Sequence, residues 1–193
     1  MRIAMDVDGV WADFVLGFSE VMHNKVWARC PIYSTGEHKE WRFESTQEQY
    51  DETWDIISND HMNWWMTLEC LAPVGAIAKV NKITADKDNY VYYLTSRKAL
   101  NLGLSAEIQT EQWLRGLGVI NPRVICTKSS TKADLVNALD IEYFIDDKPQ
   151  ILEDAVKNCP NTLVSARDWW YNRDIEVDAR YDSVEEALLH WTT

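Results

Sequence analysis

Five short apolar runs, Ile3 to Val7, Tyr90 to Leu94, Val124 to Cys126, Tyr143 to Ile145 and Thr162 to Val164, each end in polar residues. Runs of this length without strict alternation read as strands buried on both faces, which is the habit of parallel sheets. Between them the apolar spacing predicts helices at about Ala76 to Ala85, Ala106 to Leu117, Lys132 to Leu139 and Gln150 to Lys157. Strand and helix in alternation predict an α/β fold, a Rossmann-like parallel sheet sandwiched by helices.

The alternation breaks between Val15 and Leu71, a gap too long for one crossover connection. A small helical cap inserted after the first strand accounts for it. The expected core is therefore residues 1–14 and 72–193, with 15–71 as the cap. Ser45-Thr-Gln-Glu48 reads as a capping box opening a helix from about Thr46 to Ser58, and Ser183-Val-Glu-Glu186 as another opening a final helix towards Trp191.

Ligands of open parallel sheets collect at the carboxyl ends of the strands. The residues placed there by this pattern are Asp6 and Asp8, Thr95 and Ser96, and Asp146 and Asp147, with Lys132 at a helix start. Carboxylates at strand ends are costly unless a cation or a rich set of donors meets them. So many acids at one sheet edge call for a divalent ion, and an all-oxygen ligand set suits magnesium.

Composition narrows the partners. The 193 residues are 46% hydrophobic, enough for one substantial core, and carry a formal charge of −12. That charge opposes attraction to polymeric nucleic acid, whose binding depends on neutralising phosphates, but leaves small anions open. Cys30, Cys70, Cys126 and Cys159 are scattered, without a CxxC pair, as expected of reduced thiols in a cytoplasmic protein. No apolar run is long enough to span a bilayer, and no signal-like segment follows Met1, so no membrane partner is expected. Ten tryptophans are the unusual feature.

Four short motifs resemble those of the haloacid dehalogenase superfamily of phosphohydrolases, in order and over nearly the whole chain. They are Ile3-Ala-Met-Asp6-Val-Asp8-Gly9-Val10, Tyr93-Leu-Thr95-Ser96-Arg97, Lys132, and Phe144-Ile-Asp146-Asp147. The resemblance implies that Asp6 attacks phosphorus to give an aspartyl-phosphate, while Asp8 protonates the leaving group and then activates water. It also implies a magnesium ion held by Asp6, the Asp8 backbone carbonyl and Asp146, with Asp147 supporting the metal or orienting Lys132. Thr95, Ser96 and Lys132 would hold the phosphate oxygens, with Lys132 preferred to Lys128 for the third motif. A general acid two residues after the nucleophile favours phosphatase over dehalogenase chemistry.

Within that superfamily an insertion at this point forms a substrate-selecting lid. Here it is rich in rings: Trp27, Tyr33, Trp41, Phe43, Tyr50, Trp54, Trp64 and Trp65. Asp6 to Phe14, and the stretch from Trp64-Trp65 to Ala76, resemble the 5'(3')-deoxyribonucleotidases, as does Trp170-Tyr-Asn-Arg173. Trp64 and Trp65 would then belong to a nucleoside pocket, Trp11 replaces a usual leucine near the catalytic loop, and Arg97 and Lys148 would touch phosphate or sugar or balance the aspartates. The expected substrate is a deoxynucleoside monophosphate; another phosphomonoester such as a phosphosugar, or a non-catalytic nucleotide-binding role, stays open. A homodimer also stays open.

Overall fold

The computed structural model describes residues 1–37 and 45–193; Trp41 and Phe43 of the expected cap aromatics lie outside them. Six parallel strands form one sheet in the order β3-β2-β1-β4-β5-β6. They are β1 (Arg2–Asp6), β2 (Tyr90–Thr95), β3 (Arg123–Cys126), β4 (Tyr143–Asp146), β5 (Leu163–Arg167) and β6 (Ala179–Tyr181). The first five lie where the apolar runs predict them, within a few residues. β6 was not expected, because three residues reading Ala-Arg-Tyr carry no strand pattern of their own; pairing with β5 makes them a strand.

Successive residues of each strand feed opposite faces of the sheet. Ile3, Met5, Val91 and Tyr93 enter one apolar cluster and Ala4, Leu94, Phe144 and Val164 the other. The first face is covered by α3 (Val74–Thr84), α4 (Ala106–Gly116) and α7 (Val184–Trp191), and the second by α5 (Lys132–Ala138) and α6 (Pro149–Asn158). The strand order reverses direction between β1 and β4, the switch point where open α/β sheets bind ligands.

Between β1 and β2 the chain forms α1 (Phe14–Val21), a π-helical turn over Met22–Val26, α2 (Gln47–Asp60) and a 3₁₀ turn over Trp64–Met66. This is the small helical insert expected. Its apolar residues Phe18, Ile57, Trp64 and Trp65 join the same cluster as Met5 and Tyr93. The capping box of α2 is one residue later than its sequence suggests: Thr46 receives the Gln49 N–H and the Gln49 side chain returns to the Thr46 N–H. The box expected at Ser183 is only half made, since Ser183 caps Glu186 while the Glu186 carboxylate takes the Asp182 N–H instead. No helix among the described residues is long and apolar enough to cross a membrane.

Candidate active site

Register brings the first and fourth motifs together. Met5 pairs with Ile145 across the β1–β4 seam, so Asp6 and Asp146 leave the sheet side by side. Thr95 ends β2 on the other flank of β1. One oxygen from each of Asp6, Asp146 and Asp147 lies within 4.8 Å of the others, and all three residues are buried.

Lys132, at the start of α5, is closed to solvent and bridges two of these acids. Its Nζ donates to Asp6 Oδ1 at 2.6 Å and to Asp146 Oδ2 at 2.8 Å. Burial alone would push the lysine pKa down, but the carboxylates of Asp146 and Asp6 outweigh it and hold Lys132 above its usual range. The rival Lys128 is exposed. Burial, reinforced by the charge of Asp146 and opposed by Lys132, lifts Asp6 from 3.8 to about 6. Asp147 is also raised, by burial first and then by Asp6 and Asp146.

The hydrogen bonds sort these oxygens. Asp146 uses Oδ2 on Lys132 and Oδ1 on the Lys148 N–H at 2.9 Å. Asp147 uses Oδ2 on the Tyr171 hydroxyl, and its backbone carbonyl accepts from Asn172 at 2.8 Å. Asp6 Oδ2 and Asp147 Oδ1 are left buried with no partner among the described residues. Two orphaned carboxylate oxygens in a water-poor cluster fit a hard divalent cation, and they are the free ligand atoms of the group, whereas both Asp146 oxygens are engaged. Gly9, at φ +86°, is what lets the chain pass this point: a Cβ there would lie 2.3 Å from Asp147 Oδ2.

Asp8 points elsewhere. Its carboxylate is held by Arg97, whose Nη2 and Nε lie 2.8 Å and 3.1 Å from Oδ1, with the Thr95 hydroxyl 3.4 Å from Oδ2. Ser96 accepts from Ser129 at 3.0 Å, next to the same space. A cavity of about 750 Å³ opens over these groups, within the roughly 300 to 1,000 Å³ usual for small-molecule sites. Asp8, Gly9, Ser96, Arg97, Asp147 and Lys148 form its floor, and Phe14, Tyr50, Trp54 and Trp65 its aromatic wall.

Two of the expected substrate contacts, Trp11 and Trp64, do not line this cavity. Trp11 is fully buried, because the chain turns back after β1 through bonds from Trp11 and Ala12 to the Val7 carbonyl; its ring meets Tyr93 edge-on at 5.4 Å. Trp64 is also buried and borders a different, smaller cavity of about 240 Å³ beside α1, since consecutive residues on the 3₁₀ turn project to different sides. Trp65 does border the large cavity, though it is 2% exposed and its indole N–H is tied to the Lys98 carbonyl at 3.0 Å. Arg97 borders it too, but its nitrogens are engaged by Asp8, Thr110 and the Trp65 carbonyl.

Asp13, within the Asp6 to Phe14 stretch but not singled out there, shapes the rim of the cavity. It caps α1 through Leu16 and receives both the N–H and the hydroxyl of Thr35 at 2.8 Å, fixing the loop at Thr35 and Gly36 on the cavity rim. A carboxylate among apolar neighbours in Val10-Trp-Ala-Asp13-Phe was the available signal. Tyr171, in the quoted Trp170-Tyr-Asn-Arg173, reaches Asp147 through the long-range approach of the segment after β5, a contact its sequence position does not show.

No family model matches the chain. A relative from Oceanobacillus iheyensis, named "Putative nucleotidase", is 30% identical over 115 residues, 58% of this chain; the match spans 57% of that protein's length. Among solved structures, a haloacid dehalogenase-like family hydrolase from Streptococcus pneumoniae superposes with a TM-score of 0.64 at 11% identity, covering 98% of this chain and 97% of that one. A hydrolase from Pseudomonas syringae gives 0.59 at 13% identity, covering 100% and 98%. At such identities the likeness establishes architecture, and the architecture of this chain is the haloacid dehalogenase-like fold.

Proposed function

We propose that the chain is a magnesium-dependent phosphatase that hydrolyses deoxynucleoside monophosphates through an aspartyl-phosphate. The observation that carries this reading is the pair of orphaned oxygens, Asp6 Oδ2 and Asp147 Oδ1, beside a buried lysine and beneath an aromatic cavity. Asp6, Asp146 and Asp147 would hold the ion, with the Asp8 backbone carbonyl, Asp6 and Asp147 through their unpartnered oxygens and Asp146 while it also fixes Lys132. When bound, magnesium supplies the positive charge that offsets repulsion between a carboxylate nucleophile and a phosphate dianion.

The chain's own residues supply the rest. The Asp6 carboxylate attacks phosphorus as the ester P–O bond breaks, and Asp8 gives its proton to the departing oxygen. A water then attacks phosphorus, Asp8 takes a proton from it, and Asp6 is released with free phosphate. Lys132, the Thr95 hydroxyl and the Ser96 N–H offset charge on the transferring oxygens. The rings of Phe14, Tyr50, Trp54 and Trp65 suit a nucleobase, for which aromatic stacking is worth about 1 to 3 kcal/mol. The name of the Oceanobacillus relative supports the same substrate class.

Phosphate release from a panel of deoxynucleotides and sugar phosphates, with magnesium or with chelator, tests the reading. Deoxynucleotides should be the better substrates, and Asp6→Asn should remove turnover. Sugar phosphates turned over as fast would remove the nucleotide assignment. Activity that survives chelation or Asp6→Asn would remove the phosphatase itself.

A further inference from the structure

Arg97 is an arginine built into the protein interior. It is 5% exposed, its guanidinium carbon lies 4.9 Å from the centroid of the Trp65 ring and 5.6 Å from that of Trp113, and its Nη1 donates to Thr110 Oγ1 at 3.0 Å and faces the Trp65 carbonyl at 3.5 Å. Thr110 is fixed in turn, its hydroxyl donating to the Ala106 carbonyl at 2.7 Å in α4. An arginine held on two sides by rings and at one end by a helix is a fixed donor. The partner it meets is the freer of the two: the Asp8 side chain keeps 14% of its surface exposed, against none for Arg97.

The contacts with Asp8 are unequal. Oδ1 lies in the fork of Nε and Nη2, at 3.1 Å and 2.8 Å. Oδ2 shares Nε almost equally, at 3.2 Å, and otherwise has only the Thr95 hydroxyl at 3.4 Å, so the Nη2 bond is what sets Oδ1 apart. A substrate anion reaching for this guanidinium would have to displace Asp8 from it.

We infer that Arg97 is a positioning residue for proton transfer: it fixes Asp8 through Oδ1 and leaves Oδ2 as the oxygen that exchanges the proton. The inference rests on the phosphatase reading. In the first half-reaction Oδ2–H gives its proton to the ester oxygen as the P–O bond breaks; in the second Oδ2 takes one from the attacking water. An aspartate on a short stem can occupy several staggered rotamers, and a fixed fork selects one of them.

The test is leaving-group dependence, because an acid matters for a poor leaving group and hardly at all for a good one. The measured quantity is kcat/KM, which reports transfer to Asp6, for an alkyl ester and for 2,4-dinitrophenyl phosphate. Proton transfer by a positioned side chain is worth about 100-fold or more, so Arg97→Gln should lose about 100-fold on the alkyl ester and under about threefold on the dinitrophenyl ester. Arg97→Lys, which restores charge but not the fork, should recover about tenfold of the alkyl activity. Asp8→Asn should show the same split, and adding Arg97→Gln to it should cost less than about another threefold, since both changes remove one function.

Equal losses on the two esters, or losses that multiply in the double variant, would overturn the inference. Should Arg97→Gln lack a cooperative melt, Thr110→Val, which removes the Nη1 anchor, carries the test: a loss confined to the alkyl ester supports the positioning role and an equal loss overturns it. A wild type inactive on both esters would instead overturn the phosphatase reading, and this inference with it.

Discussion

At and beneath the floor of the large cavity, Asp147 and the buried Asp6, Lys132 and Asp146 behind it are charged groups closed to water, whereas on its wall Phe14, Tyr50, Trp54 and Trp65 are rings packed on one another. The floor draws on β1, α5 and the end of β4, with Asp6 and Asp147 standing 141 positions apart in the chain. The wall comes from one insert. Charge on the floor is fixed by ion pairs that leave two oxygens open, so its geometry is specified atom by atom. On the wall each ring serves two purposes, closing the core on one side and facing the cavity on the other, so no single ring is given over to a ligand. On the proposed reading, chemistry falls to the one and selectivity to the other, and a substitution should act differently on each.

The largest test of this contrast is Lys132→Met. Removing one partner of a buried ion pair leaves its counterpart uncompensated and costs about 3 to 5 kcal/mol. Here two acids, Asp6 and Asp146, lose their shared cation, so the unfolding free energy from denaturant titration at neutral pH should fall by that amount and turnover should collapse. The loss should shrink near pH 5, where the raised Asp6 takes up a proton instead. A loss under about 1 kcal/mol at neutral pH would mean that the floor is not held by charge balance.

The floor was legible in the sequence and much of the wall was not, for a physical reason. A carboxylate after an apolar strand has few tolerable environments, so Asp6, Asp146 and Asp147 declare a cluster by their positions along the chain. Lys132 could be placed from its order among the motifs, and it is indeed the lysine that reaches Asp6. A tryptophan is at home in a core or a pocket, and the sequence has no means of telling which. Hence Trp11 and Trp64 were expected beside the substrate and are core, while Trp54 was only one ring among many and borders the cavity. The choice is made by backbone turns, such as the return of Trp11 onto Val7, that leave no periodic mark. Arg97 stays open between substrate and aspartates in the sequence for a similar reason: its partner Asp8 is 89 positions away, and only the register of β1 with β2 joins them.

A smaller effect follows from the raised acids. Asp6 binds its proton more tightly folded than unfolded, with its value at about 6 against an ordinary 3.8. Between these values the folded chain holds the extra proton, so metal-free stability should fall as pH rises through the window. Asp147, raised for the same reason, adds to the fall, and Lys132 stays charged throughout and does not alter the sign. Magnesium should reverse this above pH 6, by about 2.7 kcal/mol at a hundred times its dissociation constant. Melting temperatures in chelator and in magnesium across pH 4 to 8 would measure both effects. A metal-free protein that grows steadily more stable from pH 4 to 6 would remove the picture of carboxylates strained by burial.

The smallest expected effect separates wall from core, and Trp54 is the place to look for it. Trp65→Ala would leave a cavity among buried rings and cost about 3 to 5 kcal/mol, hiding any effect on a ligand. Trp54 is only partly buried, borders the large cavity, and carries a buried indole N–H with no partner among the described residues. Trp54→Phe keeps a ring against Phe14 and Phe18 while removing that unsatisfied donor, so the lost apolar area is partly offset and stability should change by under about 1 kcal/mol. A smaller face should still weaken a stacked base by about 1 kcal/mol, raising KM for a deoxynucleotide about fivefold while leaving a phosphate ester without a ring unaffected. Equal changes for both esters would make Trp54 a packing residue like its neighbours, and the wall would then select by shape rather than by stacking.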